Sequence, residues 1–188
     1  MKAMPMICCL MAALMPALVI AGSPEEQAQA RNAVAEFAGV LKAELTSAMQ
    51  AGGPLSAIEV CHTRAPAIAD AVSLDSGMSV SRVSLRNRNP GNAPTEWQAA
   101  VLRDFEARLA AGEAADALSW QEVAQTDGTR EYRFMKAIPT APMCLACHGE
   151  SIAPTVSEKI AELYPEDKAT GYREGDIRGA FVVTSQFD

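Results

Sequence analysis

The feature that most constrains this chain is a cluster of two cysteines and one histidine towards its C-terminal end, residues 144–148 with the sequence CLACH. Two thiols separated by two residues can add to the two vinyl groups of a haem, and the histidine that follows then becomes the first axial ligand of the iron. A chain with this motif has to fold around a large, flat group. The motif therefore predicts one covalently attached haem c, bound by Cys144, Cys147 and His148.

Other uses of two closely spaced cysteines fit this sequence less well. A thioredoxin-like redox pair, or the disulfide formed from one, is typical of a strand-to-helix connection in a βαβ fold, which the surrounding sequence does not predict. A zinc site needs four ligands close together, and this chain has 5 cysteines and 2 histidines spread along its length. Haem attachment is therefore the favoured interpretation.

The first 21 residues predict a signal peptide. Lys2 precedes an almost uncharged run, residues 3–20, and small residues follow at Ala21 and Gly22. A membrane anchor is the alternative interpretation of this run, but the polar residues from Ser23 onward favour cleavage. We expect residues 22–188 to form one haem domain that is periplasmic or otherwise exported, without a membrane segment after cleavage.

Cleavage leaves three cysteines in the exported chain. Cys8 and Cys9 lie within the signal peptide and leave with it. They are too early in the apolar run to be a lipid-attachment site at its end. Cys144 and Cys147 belong to the motif, so Cys61 has no obvious partner. An odd cysteine in an exported protein calls for an explanation.

The composition is that of one globular domain. Of the 188 residues, 49% are hydrophobic and 21% are charged, which is enough for a core and a normal polar surface. The net charge is −7 and lysines and arginines form no cluster, so we expect neither nucleic acid nor an anionic membrane surface as a partner.

The pattern of apolar residues predicts mixed helices and antiparallel strands without a βαβ rhythm, an α+β fold. Three helices come from the first half of the chain, with stops at the two glycines 52–53 and at Pro66, and a tight hairpin is predicted across Asp127-Gly128. The predicted helices are residues 25–50, 54–65, a short stretch to Val72, 94–111 and a short one around 156–163. The predicted strands are residues 78–85, 120–126, 130–138 and 177–187.

The second face of the iron needs a ligand from upstream, because neither Met nor His follows His148. This order disfavours the usual small electron-carrier cytochrome, whose methionine ligand lies downstream of its motif. Met143 directly precedes the motif and cannot easily reach the opposite face, and the other methionines lie at positions typical of the core. Periodicity does not separate Cys61 from His62, and an inert buried cysteine is the alternative for Cys61. The methionines considered are Met49, Met78, Met135 and Met143.

Four segments together resemble a family of single-haem c-type domains with a PAS-like fold. They are residues 57–61 (AIEVC), 82–94 (RVSLRNRNPGNAP), 144–148 (CLACH) and 175–180 (GDIRGA). The resemblance implies a central antiparallel sheet flanked by helices, with a long N-terminal helix, and it implies that Cys61 is the ligand opposite His148. Members of this family occur as free exported proteins and as extracytoplasmic sensor modules.

A His/Cys ligand set would favour the oxidised iron, because an anionic thiolate donates charge to it. We therefore expect a sensor of redox state or of a small diatomic gas, with a low-potential electron-transfer cytochrome and its redox partner protein as the alternative. We do not expect an enzyme, since the one other histidine is His62. The N-terminal helix is a candidate surface for a homodimer, and covering the sheet is the alternative role of the same apolar stripe. Candidates to bind the haem propionates are Arg82, Arg86, Arg88 and Arg178.

Overall fold

The computed structural model describes residues 22–126 and 128–187. The predicted signal peptide, residues 1–21, and Asp127 of the predicted hairpin tip lie outside these ranges. The elements follow in chain order as α1 (Pro24–Glu59), a π-helical turn (Val60–Arg64), α2 (Ala65–Ser76), β1 (Ser79–Val83), α3 (Glu96–Ala110), β2 (Ser119–Thr126), β3 (Thr129–Pro139), α4 (Leu145–His148), α5 (Pro154–Leu163) and β4 (Ile177–Phe187), with 3-10 turns at Pro90–Asn92 and Pro142–Cys144.

The four strands form one antiparallel sheet in the order β1-β4-β3-β2. The last strand of the chain is therefore central, and it pairs with both the first strand and the hairpin. Thr126 pairs with Thr129 at the hairpin end, and Gly128 has the positive φ of 83° that the sequence led us to expect there. The predicted α+β fold, with a central antiparallel sheet and a long N-terminal helix, is confirmed.

Helices cover both faces of the sheet because alternate residues of the central strand point to opposite sides. Helices α1 and α2 pack on the face that carries Phe181 and Val183, and α3 packs on the face that carries Ala180 and Val182. Phe37 of α1 meets Phe181 edge-on, with ring centroids 5.5 Å apart. The N-terminal helix thus covers the sheet, and its use in a homodimer stays a prediction.

The predicted break after the first helix is present as a kink inside α1. Gly52 and Gly53 have non-helical backbone angles, and Gly53 has φ 67° and ψ −158°, a region that is almost restricted to glycine. Pro54 then opens the second half of the helix, where its missing N–H needs no acceptor. Within the described ranges, no helix is both long enough and apolar enough to cross a bilayer.

The prediction that Pro66 ends the second helix is wrong. The chain runs from α1 through the π-helical turn directly into α2, and Pro66 lies in the first turn of α2, where it is tolerated. Helix α2 also continues past Val72 to Ser76 and ends at Gly77, which has a left-handed φ of 68°. The π-helical turn is therefore what joins the two helices, with no loop between them.

Candidate haem-binding site

The predicted site residues meet at a cavity of about 400 Å³, within the usual size range of ligand pockets. It lies between the C-terminal half of α1, the junction of β1 and β4, and the CLACH motif. Cys61, Cys144, Cys147 and His148 all line it. Much of the remaining wall is apolar and includes Ala38, Leu41, Leu45, Ala57, Ile58, Val83, Ile138 and Phe181.

The two motif cysteines lie on one wall, where a 3-10 turn leads into the single turn of α4. Both are half-buried free thiols, and burial raises the pKa of the Cys147 thiol while the charge of Arg88 opposes that shift. In the part of the chain that is described, no three His, Cys, Asp or Glu side chains are grouped closely enough to hold a metal ion by themselves.

His148 is buried, with 9% of its surface exposed, and the segment formed by residues 167–172 holds it in place. Its Nδ1 lies 2.7 Å from the carbonyl oxygen of Ala169, and its own carbonyl accepts from the N–H of Tyr172 at 3.0 Å. Because a carbonyl oxygen can only accept, Nδ1 carries the proton and Nε2 keeps a free lone pair. The ring is therefore in the tautomer that a metal ligand needs.

The electrostatics around His148 favour its neutral form. Burial lowers the pKa of His148 well below its usual range, and the positive charges of Arg178 and Arg88 lower it further. The hydrogen bond to Ala169 opposes this shift and does not outweigh it. The imidazole is thus unprotonated near neutral pH, which is the state that binds a metal.

Cys61 and His62, which periodicity did not separate, take different positions on the π-helical turn. Cys61 is half-buried and lines the cavity, whereas His62 is exposed and lies outside the wall. The ring of His62 packs edge-on against Tyr164, with centroids 5.3 Å apart. Turns of this kind are frequent at functional sites.

The methionines divide into two groups. Met78 and Met135 are 4% and 0% exposed in the core, as their positions predicted. The prediction that Met49 lies in the core is wrong, because Met49 lines the cavity together with Met143. The reason is that α1 packs on the sheet only as far as about Leu41, and its continuing apolar stripe then faces the cavity.

The four arginines also differ in position. Arg82 and Arg178 line the cavity, and neither forms an ion pair with any residue that the structure describes. Burial and the like charge of Arg178 both lower the pKa of Arg82. Arg86 lies elsewhere and stacks its guanidinium 3.6 Å from the ring centre of Tyr172. Arg88 borders the cavity, but its guanidinium is bound to Asp167.

Tyr164 and Lys42 are among the cavity residues that the sequence analysis did not identify. Tyr164 is 5% exposed, and burial, with a smaller effect of a negative charge on Cys61, raises its pKa to about 12. It follows the last turn of a short helix, and no signal there pointed to the cavity. Lys42 lies on the same face of α1 as Ala38 and Leu45, so helical spacing could have placed it at the cavity.

This set of groups defines what the cavity can bind. It offers apolar walls, two thiols on one side, an imidazole with a free lone pair, a third thiol and two arginines with no carboxylate partner among the described residues. A flat apolar group that carries acidic substituents and a metal would satisfy all of them.

The comparison with known proteins identifies the family. The chain belongs to the Tll0287-like family, which matches residues 22–185. The crystal structure of the cyanobacterial haem protein Tll0287 is similar, with a TM-score of 0.64, 25% sequence identity and coverage of 87% of this chain and 96% of that one. No curated protein matches. The family assignment confirms the resemblance seen in the four sequence segments.

Proposed function

We propose that this chain binds one haem covalently through Cys144 and Cys147, with His148 as an axial ligand. The observation that carries the proposal is the CLACH motif at the cavity wall, where His148 donates through Nδ1 and keeps Nε2 for a metal. The similar protein Tll0287 is a haem protein, which supports the same cofactor here. When bound, the haem supplies an iron that exchanges single electrons and binds small ligands.

The residues around the cavity fit such a group. Haem carries two carboxylates, and Arg82 and Arg178 are cavity-lining cations without a described ion-pair partner, while the exposed Lys42 is a third cation at the wall. Arg82 and Arg178 are half-buried, and burial together with the like charge of Arg178 lowers the pKa of Arg82, so a counter-charge at the cavity is favoured. We therefore assign the propionates to Arg82 and Arg178, and not to Arg86 or Arg88.

We further propose Cys61 as the ligand opposite His148. It is the one cysteine of the cavity that the motif does not use, and it lies in a π-helical turn. As a thiolate it would place a negative charge near Arg82, whose charge stabilises it in turn. Met49 is the alternative ligand, since Met143, the second methionine at the wall, directly precedes the motif.

With this ligand set, the proposed function is that of a redox or small-ligand sensor outside the cytoplasm. As a thiolate, Cys61 would donate charge to a bound iron and favour its oxidised state, and as a neutral thiol it would hold a proton at Sγ and leave that ligand position open to a small molecule. A signal peptide in residues 1–21 would deliver the chain to the compartment where haem c is attached. We propose no catalytic role, because His148 is the one histidine among the described cavity residues.

A low-potential electron-transfer cytochrome is the second candidate. Cys144 and Cys147 are half-buried, so the haem edge that they bind would lie close to the surface. Such exposure suits electron exchange with a partner protein. Exposure of the reduced protein to carbon monoxide separates the two functions: rapid binding supports the sensor, and a reduced protein that does not bind CO supports electron transfer through a fixed six-coordinate iron.

The haem assignment is tested by acid–acetone extraction of the protein, produced from the full chain in a bacterium that attaches haem c. We expect the red colour to stay with the wild-type protein and with Cys61→Ala, because both proteins keep the attachment residues Cys144 and Cys147. A variant with Cys144→Ala and Cys147→Ala should release all of its haem into the acetone. Haem that is extractable from the wild type, or a colourless wild type, would contradict the proposal.

A further inference from the structure

Arg88 and Asp167 form an ion pair in the interior of the protein. Their side chains are 9% and 10% exposed. The guanidinium binds the carboxylate in a bidentate geometry, with Nε donating to Oδ1 and Nη2 donating to Oδ2, each at 3.1 Å. Removing two charges from water is costly, so a buried pair is weak evidence for a role in stability alone. The other contacts of this pair indicate what it does.

Both members of the pair bind the peptide groups that surround His148. Arg88 Nη2 also donates to the carbonyl oxygen of Cys147 at 2.6 Å and to that of Ala169 at 3.2 Å. Asp167 Oδ1 accepts from the N–H of Ala169 at 2.8 Å. Ala169 is the residue whose carbonyl oxygen accepts from Nδ1 of His148. The carbonyl oxygen of Ala169 thus accepts hydrogen bonds from both the imidazole of His148 and the guanidinium of Arg88.

We propose that Arg88 and Asp167 are positioning residues for His148, an inference that rests on the proposed haem function. By fixing Ala169 from two sides, they keep its carbonyl aimed at Nδ1, which holds His148 in one tautomer and one ring orientation. Arg88 also draws electron density from that carbonyl, so the imidazole gains less negative character from its hydrogen bond. Together the two residues set the donor strength of the ligand in addition to its position.

The two charges predict opposite changes in the reduction potential. Arg88→Met removes a positive charge near the iron, which favours the oxidised form and lowers the potential. Asp167→Asn preserves the shape and one acceptor oxygen but removes the negative charge, which raises the potential. We expect each variant to change the equilibrium constant with a fixed redox mediator at least threefold at pH 8, which is about 28 mV at about 59 mV per tenfold for one electron. A purely structural role would move both variants in the same direction.

The hydrogen bond itself is tested by NMR on the reduced haem protein in a low-spin state, with CO added if the protein binds it. The Nδ1 proton of His148 should exchange with solvent at least tenfold faster in Arg88→Met than in the wild type. Arg88→Lys keeps the positive charge but not the bidentate geometry. Its reduction potential should therefore stay close to that of the wild type, while the Nδ1 proton of His148 should exchange faster than in the wild type. Arg173→Met is the matched control, since Arg173 pairs with Glu150 in the neighbouring loop at 75% and 58% exposure. It should change neither quantity.

Potential shifts of the same sign in Arg88→Met and Asp167→Asn, or an effect of Arg173→Met as large as theirs, would overturn the inference. Should Arg88→Met not fold, Asp167→Asn carries the test, and an unchanged or lowered potential in it overturns the inference. If these results come from a protein that keeps covalent haem and the wild-type spectrum, the proposed function stands and the inference alone fails. A wild type without haem removes both.

Discussion

Gly179 of β4 lies beside the end of β1 and lines the cavity, and it has no room for a side chain. A Cβ at this position would overlap the carbonyl oxygen of Val83 and would lie 3.2 Å from Cβ of Ser84. The first of these is a backbone atom in a paired strand and cannot rotate away. Gly179→Ala must therefore push the end of β1 away from β4.

The expected cost follows from what that displacement strains. Overpacking of this kind costs about 1–3 kcal/mol. Two hydrogen bonds of Ser84 lie next to the overlap, from Oγ to the carbonyl of Arg178 at 2.8 Å and from its N–H to the carbonyl of Asn92 at 3.1 Å, and each contributes about 0.5–1.5 kcal/mol. Partial loss of both brings the total to about 2–4 kcal/mol of unfolding free energy.

Urea unfolding followed by far-ultraviolet circular dichroism measures this change. With a slope of about 2 kcal/mol per molar urea, the midpoint for Gly179→Ala should fall by about 1–2 M. Gly39→Ala is the matched control, because Gly39 lies inside α1 with nothing within 4 Å of a new Cβ. That variant should be more stable by about 0.5–1 kcal/mol, since alanine favours a helix. An unchanged midpoint for Gly179→Ala, or equal losses in both variants, would refute the packing argument.

Three further predictions follow from the same structure. Gly53→Ala should lower the unfolding free energy by about 1–3 kcal/mol in urea, because φ 67° with ψ −158° strains any residue with a Cβ; no loss would mean that the kink relaxes freely. Asp167→Ala should lower the unfolding free energy by about 3–5 kcal/mol, because it leaves a buried guanidinium unpaired. Glu44→Ala, which removes an exposed ion pair, should leave the thermal unfolding temperature nearly unchanged. Equal effects of the two substitutions on thermal unfolding would contradict this contrast. The pKa values of Tyr132 and Tyr164 are raised to about 12 by burial, above the ordinary value near 10, so folding favours the neutral phenols. This contribution to the unfolding free energy should be fully present below pH 10 and fall between pH 10 and pH 12, and phenolate absorbance of the folded protein that is already half complete at pH 10 would exclude it.

The sequence predicted the fold where local chemistry is decisive. The strand at residues 177–187, the hairpin and the break at Gly52 and Gly53 each depend on alternation, turn residues or glycine. The continuation of the helix through Pro66 was missed, because a π-helical turn leaves no signal in the apolar periodicity. Helical spacing also could not show that the stripe of α1 leaves the sheet before Met49.

The site was predictable where a motif specifies it and unpredictable where distant segments meet. Cys144, Cys147 and His148 follow from their spacing alone. Arg88 was one of four candidates for the propionates because guanidinium groups bind carboxylates, but the carboxylate that it binds is that of Asp167. Only the fold brings residues 79 positions apart together, so the sequence could name the chemistry of Arg88 but not its partner.

The most direct test of the proposed haem site is the visible absorption spectrum of the oxidised protein beside those of Cys61→Ala and Met49→Leu. If Cys61 binds the iron opposite His148, the wild type shows a low-spin, thiolate-ligated spectrum, Cys61→Ala loses it, and Met49→Leu keeps it. Identical spectra for the wild type and Cys61→Ala would contradict the proposed ligand set, and loss of the low-spin spectrum in Met49→Leu alone would transfer the role to Met49.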